Sequence, residues 1–154
     1  MSTEKPMKNP PDEGLDRARS KRNDLLDAMR SLEEAAARPA ADSSGWLASV
    51  REAVDVLGEA LRRHIEEAES PDGMVEDIIR EEPRLAAAVA QLRDEHPELV
   101  TAWQRTKEAV DDPLTDRNRI RRRIVALLGR LALHRQGGAD LVYEAYSVDI
   151  GGRG

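Results

Sequence analysis

Across residues 12–146 apolar positions recur at intervals of three and four, and the alternation expected of strands is nearly missing. Leu15, Ala18, Leu25, Met29, Leu32 and Ala36 form a first stripe, interrupted at Arg22, that predicts a helix over 12–38. Pro39 ends it, and Asp42-Ser43-Ser44-Gly45 offers a cap for the next. Trp46, Val50, Ala53, Leu57, Ala60 and His64 predict a helix over 44–69, closed by the turn Ser70-Pro71-Asp72-Gly73. A third helical region covers 74–110, with the stripe Leu85, Val89, Leu92, His96, Leu99, Trp103 and Val110 and a polar position at Thr106 or Lys107. Pro83 suits the first position of a fresh helix, which leaves a short extra helix over 74–82, and Pro97 is expected to kink or restart the chain. Asp112-Pro113 is expected to cap the last helix, whose stripe is Ile120, Ile124, Leu127, Leu131, His134, Gly138 and Leu141. Four long amphipathic helices with short connections specify an all-α fold, an antiparallel up-and-down four-helix bundle occupying residues 12–147. Residues 1–11, with Pro6, Pro10 and Pro11, read as a disordered N-terminal tail, and residues 148–154 as a glycine-rich flexible one.

Composition narrows the chemistry. With 154 residues the chain suits one domain, and the absence of cysteine excludes disulfides, zinc fingers, iron–sulfur clusters and a thiol nucleophile. Phenylalanine is also absent, so aliphatic side chains must build the core. A net charge of −6 argues against nucleic acid as a partner, and no apolar run is long enough to span a membrane. The N-terminal stretch lacks the apolar segment of a secretory signal, which points to the cytoplasm. Twenty arginines against four lysines, with abundant alanine, suggest a GC-rich bacterial genome. The run Arg117-Asn118-Arg119-Ile120-Arg121-Arg122-Arg123 lacks interleaved aromatics and reads as a solvated face paired with Asp111, Asp112 and Asp116. Trp46 and Trp103 lie on core stripes, and Tyr143-Glu144-Ala145-Tyr146 with Val148-Asp149-Ile150 is expected to close one end of the bundle. Phosphate-binding loops, dinucleotide fingerprints and nucleophile elbows are missing, and residues 61, 93 and 131 are Leu, Arg and Leu where a Glu-x-x-His oxidase needs glutamate. The chain therefore reads as a non-enzyme.

Chemistry concentrates in the three histidines. His64, His96 and His134 each occupy a stripe position, and each lies on a different helix. Inward-facing imidazoles need partners for both ring nitrogens, and a shared metal ion would satisfy all three. Separate core histidines bonded to carbonyls or water would satisfy them equally. A metal also calls for a carboxylate or water. Glu67, three residues after His64, shares its face, while Glu66, Glu69, Glu95, Asp140 and Glu144 read chiefly as solvated. Glu95, adjacent to His96, points about 100° away from it around the helix.

The order of these segments resembles the haemerythrin-like cation-binding family. Leu61-Arg62-Arg63-His64-Ile65-Glu66-Glu67-Ala68-Glu69 is similar to its H-x-x-x-E-E helix end, and Leu92-Arg93-Asp94-Glu95-His96-Pro97-Glu98-Leu99 to its E-H-x-x-L segment. Leu131-Ala132-Leu133-His134-Arg135-Gln136, running on to Tyr146, resembles its last histidine helix. The resemblance covers residues 15–147 and implies a four-helix bundle with a non-haem iron centre used in oxygen binding, iron handling or redox sensing. Five histidines and two bridging carboxylates make the family's di-iron site, whereas this chain has three histidines in total. Ala68 and Val100 stand four residues after His64 and His96, and Gly137-Gly138-Ala139 follows His134. What the resemblance implies here is a divergent, non-enzymatic member with one ion on His64, His96 and His134, assisted by Glu67, for metal or redox sensing. Iron follows from the resemblance, while the donor set suits zinc equally. The alternative is a metal-free structural or interaction module that meets a protein partner or a second copy.

Overall fold

The computed structural model describes residues 10–39 and 42–147, with side chains from Asp24 onward. Its elements in chain order are α1 (Pro10–Ala37), α2 (Ser43–Glu69), α3 (Met74–Glu81), a single 3-10 turn (Pro83–Leu85), α4 (Ala86–Asp111) and α5 (Arg117–Ser147). The fold is all-α, four long helices and one short one, with no strand among the described residues. α1 opens at Pro10, inside the stretch expected as tail, because proline at the first helical positions removes only an N–H that has no intrahelical partner. Residues 1–9 and 148–154 lie outside the described residues, as do the side chains of Leu15 and Ala18.

The expected stripes are the faces that pack. Leu25 and Leu32 of α1, Val50, Val54 and Leu57 of α2 and Leu131 of α5 have no exposed surface. Each contributes roughly 1.5–3 kcal/mol by leaving water. Two clusters result. The larger joins α1, α2 and the facing stretches of α4 and α5; the smaller joins α3, Leu85 and Val89 to Leu141 and Ala145 at the far end of α5. Along α4 the boundary falls between Val89 and Leu99, and along α5 between Leu131 and Leu141. His96 and His134 lie inside those intervals, and His64 follows the last fully buried residue of α2, Leu61. The histidines therefore occupy the layer between two apolar clusters.

Local chemistry explains the breaks. Asp42 is extended, and its carboxylate accepts from the backbone N–H and hydroxyl of Ser44, capping α2. After Glu69 the chain turns so tightly that a Cβ on Gly73 would lie 2.6 Å from the carbonyl oxygen of Glu67, so only glycine fits. α4 runs through Pro97 without ending; the expected restart comes earlier, at Pro83. The cap of α5 is Asp116, whose carboxylate accepts from the N–H of Arg119 at 2.8 Å. Asp112, expected in that role, instead closes a local turn by accepting from the N–H of Leu114.

Side chains on either side of the histidine layer correct two other expectations. Arg117 and Arg121 stack on the Trp46 ring, 5.0 and 5.3 Å from its centre, and Arg121 donates to the carbonyl of Ala36. The basic run thus clamps the α1–α2 corner, while Asp111 pairs with Arg51 and Lys107. At the end of the bundle beyond the histidines, Tyr143 is 73% exposed, whereas Ala145 of the same segment is buried in the smaller cluster. Trp103, partly buried as a core residue, donates to the Val54 carbonyl at 2.8 Å, and Thr106 is the buried polar position, bonded to Ala102.

Candidate metal centre

α2, α4 and α5 bring His64, His96 and His134 to one level. Ring centres lie 5.0–5.7 Å apart, each pair meeting edge to face, and one ring nitrogen from each lies within 4.8 Å of the others. His64 Nε2 and His134 Nε2 approach to 3.0 Å. His96 and His134 are buried and His64 is half-buried.

Two imidazoles are held by carboxylates from the adjacent helix. Glu95 of α4 accepts from Nδ1 of His134 on α5 at 2.7 Å, and Glu69 of α2 accepts from Nδ1 of His96 on α4 at 3.1 Å. A carboxylate on Nδ1 fixes the ring's orientation and leaves the Nε2 lone pair directed away from it. Spacing along a single helix singles out Glu67, on the same face as His64. Glu95 and Glu69 act across the helix interface, one from the position beside His96 and the other five residues after His64. Glu67 borders the cavity next to the triad but stands outside the group of three converging nitrogens. Glu66 pairs with Arg62 on the surface, Asp140 accepts from Gln136, and Glu144 is exposed.

That cavity, about 80 Å³ in volume, is walled by the triad and by Met74, Ile78 and Val89. Arg93 at its edge donates to the carbonyl of Ala68 and to Glu76, tying α4 to the end of α2 and to α3. Burial holds His96 below the ordinary histidine value of 6.5, Glu69 opposing it and the charge of His134 adding to it. A neutral imidazole is the form that donates a lone pair to a metal. Three converging imidazoles, two of them oriented from behind by carboxylates, border a largely apolar space and could hold one ion with a coordination position to spare. No protein-family profile, curated protein or solved structure matches this chain.

Proposed function

We propose that this chain holds one transition-metal ion between α2, α4 and α5, with Nε2 of His64, His96 and His134 as donors and Glu67 as the fourth. The observation that carries this reading is the pairing of Glu69 and Glu95 with the outer nitrogens of two of the imidazoles, the outer-shell arrangement that metal-bound histidines use. Bonds of about 2.0–2.1 Å in tetrahedral geometry set donors roughly 3.3 Å apart. The present spacing, 3.0 Å for one pair and at most 4.8 Å for the rest, brackets that value, so ring movements of ångström size would suffice. Zinc and iron both suit the donors, and the haemerythrin-like resemblance favours iron. Arg51–Asp111, Asp55–Lys107 and Glu69–His96 follow opposite residue order along α2 and α4, which supports the antiparallel up-and-down arrangement of that family. The role is metal or redox sensing without turnover, in the cytoplasm. Elemental analysis of tag-free protein grown with added iron and zinc is expected to give about one metal per chain, lost on replacing any of the three histidines by Ala. Metal retained in all three variants refutes it.

One contact favours a second reading, the metal-free interaction module. His64 and His134 at 3.0 Å form an imidazole–imidazole hydrogen bond that satisfies both nitrogens without an ion. In that case chelators leave the melting temperature unchanged. An ion at a hundred times its dissociation constant would add about 2.7 kcal/mol, or about 5–11 °C for a chain of this size.

A further inference from the structure

Opposite its buried stripe, α5 carries a second one that faces water. Val125, Ala126, Gly129, Ala132, Leu133 and Gln136 recur at threes and fours with no charge among them, in a chain of which 35% is charged. Val125 and Leu133 are 70% and 76% exposed, and a Cβ on Gly129 would find nothing within 4 Å. Helix faces turned to solvent are ordinarily polar, so this one needs a cover. Arg119 and Arg122 flank the stripe on its N-terminal side, Asp140 and Glu144 on its C-terminal side. None of these four makes an ion pair among the described residues, and Asp140 takes only the amide of Gln136.

We propose that this face pairs with a second copy of the chain, α5 against α5, antiparallel about a two-fold axis crossing the helix level with Leu131. In an isologous contact of that kind, residues equally far on either side of the axis meet. Leu133 then enters the open space at Gly129 of the second copy, and Gly129 and Ala132 allow the close end of the usual 8–10 Å helix separation, about 8 Å. Arg122 meets Asp140, and Arg119 falls within one residue of Glu144. A parallel pairing would set Arg122 on Arg122 and Leu133 on Leu133. Charge order along the helix thus selects both the occupant and its direction. Leu133 points about 100° away from His134 around α5, although both border one surface cavity, and the contact does not depend on a metal.

Analytical ultracentrifugation of the full-length, tag-free chain in chelator, from micromolar to millimolar, is the test. A monomer–dimer equilibrium is expected. Leu133→Glu, at an exposed site, abolishes it while leaving the circular dichroism unchanged. Arg122→Asp and Asp140→Arg each weaken it about tenfold or more, and the double swap restores it. Because the chain has no cysteine, Ala132→Cys cross-links two copies on oxidation, whereas Arg122→Cys, about 27 Å from its counterpart, does not. A monomer at every concentration, or a dimer indifferent to Leu133→Glu, overturns the proposal. A swap that fails to restore pairing overturns the antiparallel register.

Discussion

Gly58 sits in the middle of α2, where helix propensity alone says that alanine should stabilise the protein by about 1 kcal/mol. The tertiary structure reverses the sign. A Cβ on Gly58 would lie 2.6 Å from Cε2 of Trp103 and closer still to Cζ2, about 1 Å inside normal contact. The indole cannot swing away freely, because its N–H is bonded to the Val54 carbonyl one turn back along α2. Overpacking of this kind costs about 1–3 kcal/mol, and losing the indole hydrogen bond adds about 0.5–1.5 kcal/mol. After the propensity gain, Gly58→Ala should destabilise the chain by about 1–3 kcal/mol, and each kcal/mol lowers the melting temperature of such a chain by about 2–4 °C. Gly138→Ala is the control: its Cβ meets nothing within 4 Å, and it should raise stability by about 0.5–1 kcal/mol. Urea titrations followed by circular dichroism would measure both. If Gly58→Ala matches or exceeds the parent in stability, the close approach of α2 and α4 at this point is wrong.

Burial lowers the His96 pKa, so between that value and the unfolded value of 6.5 the unfolded chain binds more protons. The His96 contribution to the stability of the metal-free protein is therefore fully present above pH 6.5 and is lost as pH drops below it; His96→Gln should flatten that slope in thermal melts, and an equally steep slope would argue against the assignment. Glu95→Gln should weaken metal binding by about 10–100-fold in competition titrations by disturbing His134, whereas Asp140→Asn should leave affinity unchanged. Asp116→Ala should cost about 1 kcal/mol as the loss of a helix cap, and Asp112→Ala less. Equal losses from the two would return the cap to Asp112.

Periodicity in the chain determined which side of each helix turns inward, since an apolar residue's angle about its own axis follows from position alone. That is why the sequence alone assigns Val50, Leu57, Ile124 and Leu131 to the core and turns His64, His96 and His134 inward. Turn chemistry did the same for Asp42, Gly73 and Pro83. How far each helix slides along its neighbour follows from how side chains of different helices interlock, a relation no single stripe encodes. Only the packed structure therefore decided that the three imidazoles share one level, and that Glu69 and Glu95 reach histidines on adjacent helices while Glu67 stands at the cavity edge. The notch at Gly58 and the Trp46 clamp have the same origin, distances between residues far apart in the chain. Angle about a helix is a local property of sequence; height along it is a property of the whole core.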